Sequence, residues 1–127
     1  MKIIKVVDIL TKDDQETFEL ESVVGDKVPF AYHINHGGYG YAKFKIDDKS
    51  LDAFEKKLGK IESSMSRKHL YYVMSDMLVK NDISGARLLN ICKQQLVDET
   101  AVDVLSICYN LIIPKIILHY IPFDHYF

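Results

Sequence analysis

Residues 35–47 read NHGGYGYAKFKID and separate two parts of the chain that differ in hydrophobic period. Before this segment, apolar residues recur at every second position, which is typical of strands with one buried face. After it, they recur at every third or fourth position, which is typical of amphipathic helices. Within the segment, the adjacent glycines favour a tight turn and residues 39–46 predict a strand. The sequence therefore predicts a β region that passes into a helical region close to Asp47.

The N-terminal part predicts an antiparallel β-sheet. Its candidate strands have the ranges 2–10, 16–24, 28–34 and 39–46. The third has apolar residues at every second position from Val28 to Ile34, and Pro29 places it at an edge, because proline cannot donate to a ladder. Four strands are too few to form both sheets of a β-sandwich. We expect the sheet to be covered by the helices or completed by other protein.

Three helices with clear start and stop signals follow. Asp47 or the next aspartate is predicted to cap a helix that ends near Leu58. The second helix is predicted to end at residues 81–82, and its apolar residues at helical spacing are Leu70, Val73, Met74, Met77 and Leu78. Ser84 is predicted to cap the third helix. Its inward-facing residues are predicted to be Leu88, Ile91, Cys92 and Leu96.

The most apolar segment is the predicted last helix. Thr100 and Asp103 resemble a capping box at its start, and Pro114 is expected to kink or end it. A helix that is apolar on all sides must be covered on all sides, and the chain offers too few helices to do so. This shortage predicts an interface with other protein. The candidate interface residues are Leu111, Ile112, Ile113, Ile116, Ile117, Leu118, Tyr120 and Ile121.

Composition limits the classes of function. The chain has 127 residues, a formal charge of -2 and a hydrophobic content of 48%. These values predict a single soluble domain without bulk attraction to nucleic acid. No targeting signal is visible at the N-terminus, so we expect an intracellular, cytoplasmic protein. The apolar window 102–120 contains Asp103 and Lys115, and no membrane span is expected. Cys92 and Cys108 are predicted to be reduced, packed thiols.

Two histidines close together in the sequence are a candidate metal site. His33 and His36 could both ligate an ion, but no convincing third ligand lies near them in the sequence. Structural zinc sites use four protein ligands, so a solvated or packing role is the favoured interpretation. The lysines between residues 56 and 60 are interpreted as a solvated helix face, because no aromatic residues alternate with them.

Several short motifs occur in a characteristic order along nearly the whole chain. They are the Asp13-Asp14 turn, the Asn35 loop, Gly40-Tyr41-Ala42-Lys43, Asp47-Ser50-Leu51, the Arg67 helix, Asp76-Met77-Leu78, Asp82 with Ser84, and Glu99-Thr100-Ala101-Val102. This order resembles a junction in zinc aminopeptidases of the aminopeptidase N and puromycin-sensitive type. In that family a small β-sandwich passes into a large helical-repeat domain. The chain departs from the family at Ala42-Lys43, where an aromatic-arginine pair is usual.

The resemblance implies an α+β fold. Residues 1–47 would form an antiparallel sheet that is part of a β-sandwich. Residues 48–127 would begin a C-terminal domain of α-helical hairpin repeats, similar to HEAT or armadillo repeats. The family holds zinc with two histidines four positions apart on a helix, whose own glutamate is the general base. None of the five histidines here is followed by glutamate. We therefore expect no catalysis and no cofactor in this chain alone.

Two functions follow from the resemblance. The first is a non-catalytic module or fragment of an aminopeptidase-like protein. It would couple the β-sandwich to the helical domain that caps the peptide-binding cavity. Its partners would be other parts of the parent protein, and the parent would bind peptide. The second is a degenerate aminopeptidase-like subunit that serves as an interaction or structural component of a larger complex.

Overall fold

The computed structural model describes residues 4–9, 17 and 19–122. The regular structure of these residues is helical. The α-helices are α1 (Asp48–Lys57), α2 (Ser64–Val79), α3 (Gly85–Gln95), α4 (Val102–Ile107) and α5 (Ile113–His119). Short 3-10 turns span Glu21–Val23 and Leu58–Lys60, and a π-turn over Cys108–Ile112 joins α4 to α5. Val102–His119 is thus one continuous helix, which we call the C-terminal helix.

The predicted N-terminal β-sheet is wrong. Residues 4–9, 17 and 19–46, the described residues of this region, contain no β-strand. The predicted α+β class and β-sandwich are therefore wrong for the part of the chain that the structure describes. The polar turn predicted at residues 11–15, and Phe18 in the second predicted strand, lie outside the described residues.

The segment that we call the N-terminal strap, residues 27–46, packs on helices instead of pairing with a strand. Ala31 and Phe44 pack against the helical core. The Tyr32 amide donates to Ser50 Oγ of α1 at 2.8 Å. No backbone–backbone hydrogen bond joins residues 27–34 to another described residue. A β-ladder requires a second backbone alongside, and the helices cover only one row of strap side chains without supplying such a backbone.

Alternate residues of the strap face the helices or the solvent. The half-buried ones are Pro29, Ala31 and His33. The exposed ones are Val28, Phe30, Tyr32 and Ile34. The period of two in the sequence is therefore retained, but the larger apolar row faces outward. A period of two fixes which residues share a face and leaves open which face is buried.

The tight turn predicted at the two glycines is confirmed. Gly37 and Gly38 have φ of 88° and 76°, which residues with a Cβ rarely adopt. The Gly38 amide donates to the Asn35 carbonyl at 2.9 Å. The Asn35 side chain closes the turn, since its Oδ1 accepts from the Gly40 amide and its Nδ2 donates to the Gly40 carbonyl at 2.9 Å. These bonds lie within six residues and need no tertiary partner.

The predicted caps of α1 and α3 and the predicted end of α2 are confirmed. Asp47 caps α1 by accepting from the Ser50 amide at 2.9 Å. Asn81 ends α2 with φ of 60°, donating to the Leu78 carbonyl at 3.1 Å. The next amide donates to the Met77 carbonyl at 2.9 Å, which completes a Schellman motif. The Ser84 hydroxyl caps α3, and the four side chains predicted to face inward are buried.

The predicted capping box of the last helix is wrong. Ala101 is the N-cap residue, and no side-chain bond caps it at that position. Instead, Glu99 Oε1 accepts from the Thr100 amide at 3.1 Å and the Ala101 amide at 2.9 Å. Arg67 holds the Glu99 carboxylate beside these amides. Both amides precede Val102, the first residue of the helix, so Glu99 fixes the segment that leads into the helix.

Pro114 does not end the last helix. It lies in the first turn of α5, directly after the π-turn over Cys108–Ile112. A proline lacks the amide that would donate to the residue four positions earlier, and its ring crowds that carbonyl. A wider turn before it lets the helix continue past this break.

A single core lies between the helices. The helix pairs α1 and α3, α3 and α5, and α2 and α4 pack against each other, and the strap lies over α1 and α2. The fully buried large side chains are Tyr71, Phe54, Leu51, Leu58, Leu70, Met74, Leu78, Leu88, Ile91, Ile112, Ile116 and Val104. At the edge of this core, Gly85 is so close to the end of the C-terminal helix that a Cβ there would lie 2.8 Å from Tyr120 Cβ.

Candidate functional site

Three histidines from different parts of the chain meet where the strap crosses α2. His33 Nε2 and His69 Nδ1 lie 3.0 Å apart, within hydrogen-bond distance. The His36 ring stands edge-on to His33, with 5.8 Å between ring centroids and 75° between ring planes. The Phe44 ring approaches the other side of His69 at 6.0 Å. We call the side chains of His33, His36 and His69 the histidine cluster.

Local structure positions each member of the cluster. His33 is on the helix-facing row of the strap, two residues after Ala31. His36 lies within the tight turn closed by Asn35. His69 precedes the buried Leu70 on α2, so it sits at the margin of the inner face. Sequence analysis did not find His69 as a partner, because it is 36 positions from His33 and belongs to no spacing motif.

In the part of the chain that the structure describes, no acidic side chain is hydrogen-bonded to the cluster. Burial, together with the nearby His69 and His36, lowers the pKa of His33 to about 4. Burial also lowers the pKa of His69. Near neutral pH both rings are therefore uncharged, and one donates to the other across the 3.0 Å contact.

The structure adds no further metal ligand to His33 and His36 among the described residues. Among the described residues, no group of three or more His, Cys, Asp or Glu side chains is placed to hold a metal ion. The nearest nitrogen partner of His33 is His69, through a hydrogen bond. The arrangement is a hydrogen-bonded pair of imidazoles with a third ring beside it.

A small cleft adjoins the cluster between the strap and α2. It has room for about one water molecule, about 10 Å³. Its lining residues are Tyr32, His33, Ile34, Phe44, Lys45, Ile46, Asp47, Leu70 and Val73. Sites for small molecules span about 300–1,000 Å³. This cleft is therefore not suited to a small-molecule substrate.

The buried reactive groups lie in the core, away from the cluster. Cys92 and Cys108 are free and buried, as predicted. Their thiols are hydrogen-bonded to each other, and this bond together with burial raises the pKa of Cys108 far above its ordinary value. The Tyr71 hydroxyl is buried without a hydrogen-bond partner among the described residues, and burial raises its pKa. Cys108 and Tyr71, which are kept protonated in this way, are poor nucleophiles.

The predicted interface residues fall into three groups. Ile112 and Ile116 belong to the core and are completely buried. Four are partly buried, namely Ile113, Ile117, Tyr120 and Ile121. Leu111 and Leu118 are 50% and 72% exposed. The same helix also exposes Val102 and Tyr109, at 78% and 58%. Its outer face therefore carries four large apolar side chains, although only two of them were predicted.

The C-terminal helix is long and apolar enough to cross a membrane. By length and composition, Val102–His119 meets this criterion with a mean hydropathy of 1.5, and 28% of the segment is buried. Core helices of water-soluble proteins meet the same criterion, so it does not decide the environment of the helix.

The chain was compared with known families and structures. No protein-family model, no curated protein and no solved structure matches it. The resemblance to zinc aminopeptidases therefore stays a prediction.

Proposed function

We propose that this chain is a non-catalytic interaction module, and that the outer face of its C-terminal helix packs against a helix of another protein segment. The observation that carries the proposal is the exposure of Leu111 and Leu118 on a helix whose inner side forms the core. The helix is thus apolar on two opposed sides, and only one of them is covered within the described residues.

The energetics of this face support a packing partner. Large apolar side chains that leave water contribute about 1.5–3 kcal/mol each. The outer face has four of them, together with the polar pair Ser106 and Asn110, which are hydrogen-bonded to each other at 3.2 Å. A second helix supplies an apolar stripe of matching length.

The groups that carry chemistry in other proteins have structural roles here. His33 and His69 bond to each other. Both cysteines are packed in the core, and Glu99 is bound by Arg67 and accepts from the Ala101 amide before the last helix. These roles favour an interaction module over a catalytic one.

The resemblance to zinc aminopeptidases suggests the setting. In that family, further helical hairpins follow, and the next hairpin would cover Leu111 and Leu118. In the alternative setting, a separate subunit of a larger complex covers the same face. Coupling to a β-sandwich is no longer part of the proposal, because the described residues of 1–47 contain no strand.

The test is the association state of the isolated chain. Without its natural partner helix, the outer face should be covered by a second copy, and light scattering after size exclusion should give a molar mass that rises with protein concentration. The variant Leu111→Gln/Leu118→Gln should stay monomeric and keep its helical circular dichroism. The matched control Met65→Gln/Val79→Gln changes two exposed apolar residues of α2 and should associate like the parent.

Two results would overturn the proposal. One is a parent chain that stays monomeric at high concentration. The other is equal association of the parent and the Leu111→Gln/Leu118→Gln variant.

A further inference from the structure

We infer that the contact between His33 and His69 is a pH-sensitive latch, which holds the N-terminal strap on α2 while the pair is neutral and releases it when both rings are protonated. The latch goes beyond the proposed function and does not depend on it, because it involves no residue of the C-terminal helix.

The geometry of the contact permits only some protonation states. Nε2 of His33 and Nδ1 of His69 face each other at 3.0 Å. A hydrogen bond at this distance needs one nitrogen that carries a proton and one that does not. When both rings are protonated, two N–H groups and two positive charges oppose each other. The bond is then replaced by repulsion.

The surroundings of His33 offer no compensation for a positive charge. His36 in the adjacent turn is itself a base. Lys45 and Asp47 line the same cleft. Lys45 is bound to Asp82, and Asp47 accepts from the first turn of α1 as its cap. No carboxylate is therefore placed to accept from a protonated His33 among the groups that line this site.

The direction of the pH effect follows from the pKa values. His33 has a pKa of about 4 when the strap is docked, and a histidine in a released strap has an ordinary value of about 6.5. The docked state binds fewer protons in the interval between these values, so docking is favoured at higher pH. It is fully present above about pH 6.5 and weakens as the pH falls towards 4. At pH 5 this single group lowers the docked-to-released ratio by roughly 30-fold.

The strap has few other attachments along this stretch. Between residues 27 and 34, the amide of Tyr32 bonds to Ser50 Oγ, and no other amide of these residues has a partner in the described structure. Lys57 covers the Phe30 ring at 5.1 Å. Ile46, at the end of the strap, is buried and leads directly into α1. Release would therefore swing the strap about residues 44–46 and uncover Leu70 and Val73 of α2.

The experiment is amide hydrogen exchange followed by NMR at pH 7.5 and 5.0 on the full chain with a chelator present. Exchange rates are corrected for the intrinsic effect of pH. The Tyr32 amide should lose protection by about tenfold or more at pH 5.0. The core amides of α2 and α3 should stay protected, which separates local release from unfolding of the whole chain.

Two variants complete the test. In His33→Gln/His69→Gln, the amide side chains can keep a hydrogen bond but cannot titrate, and the Tyr32 amide should show no pH dependence beyond the intrinsic one. His119→Gln removes an exposed histidine of the C-terminal helix and should behave like the parent. If the Tyr32 amide of the double variant is poorly protected at both pH values, the NMR titration of the His33 ring in the parent chain decides whether the latch is correct. His33 must then titrate well below pH 6.

The latch would be overturned by any of three results. The first is equal Tyr32 protection at both pH values in the parent. The second is full pH dependence in the double variant. The third is a His33 ring that titrates at its ordinary pKa.

Discussion

Arg67 and Glu99 form a bidentate ion pair that joins the start of α2 to the residues just before the C-terminal helix. Arg67 Nε donates to Glu99 Oε2 at 2.6 Å, and Arg67 Nη2 donates to Oε1 at 2.7 Å. Arg67 Nη1 also donates to the carbonyls of Ile61 and Glu62 after α1. Because Glu99 in turn binds two amides of the last helix start, the pair connects three segments through one buried network.

Breaking this pair should destabilise the fold. The side chains of Arg67 and Glu99 are only 11% and 3% exposed, so Arg67→Gln leaves a carboxylate unpaired in a poorly solvated place. We expect a loss of about 3–5 kcal/mol in the free energy of unfolding, measured by urea denaturation. Arg87→Gln is the control, because its pairs with Asp52 and Glu55 are more exposed and worth about 1 kcal/mol or less. Equal losses in both variants would contradict this account.

The same pair predicts a pH dependence at acid pH. Hydrogen bonds from Arg67 hold the pKa of Glu99 below its ordinary value. A carboxyl with a lowered pKa stabilises the folded state above its unfolded pKa, about 4.3, and this stabilisation is lost as the pH falls through the folded value. Urea midpoints between pH 5 and 3 should therefore fall more steeply in the parent than in Glu99→Gln. Glu62→Gln, an exposed substitution, should keep the parent's slope. If the urea midpoint of Glu99→Gln fell with pH as steeply as that of the parent, the Glu99 carboxyl would not be responsible for the loss of stability at acid pH.

The two cysteines should not react in the folded protein. Cys92 and Cys108 are buried, and their mutual hydrogen bond with burial keeps Cys108 protonated. A disulfide reagent such as dithionitrobenzoate should modify them only as fast as the chain opens. Met65→Cys places a thiol at an exposed position of α2 and should react at once. Immediate modification of a cysteine in the parent would disprove the packing described here.

Gly85 should tolerate no side chain. A Cβ there would lie 2.8 Å from Tyr120 Cβ and 2.9 Å from the Tyr120 carbonyl oxygen. Alanine is ordinarily the better helix former by about 1 kcal/mol, but overpacking costs about 1–3 kcal/mol. We expect Gly85→Ala to lower the thermal midpoint. Asn90→Ala, at an exposed position of α3, should leave it unchanged or raise it slightly. A Gly85→Ala variant more stable than the parent would show that the C-terminal helix can move away.

Local signals in the sequence were sufficient for the caps of α1 and α3 and for the end of α2. Asp47, Ser84 and Asn81 act on backbone groups within four residues, so their roles follow from the residue and its neighbours. The turn closed by Asn35 is local in the same sense. The inward row of α3 also followed from spacing, since a helix fixes the direction of its side chains once one face is known.

Contacts between distant residues were decided by the tertiary structure alone. A period of two in the strap fits a strand in a sheet and an irregular segment on helices equally well, and the described residues take the second arrangement. The Glu99 carboxylate lies beside the amides that precede the last helix because Arg67, 32 positions away, holds it there. The meeting of His33 with His69 has the same origin. In each case the free energy comes from a partner far along the chain, and no pattern of neighbouring residues specifies that partner.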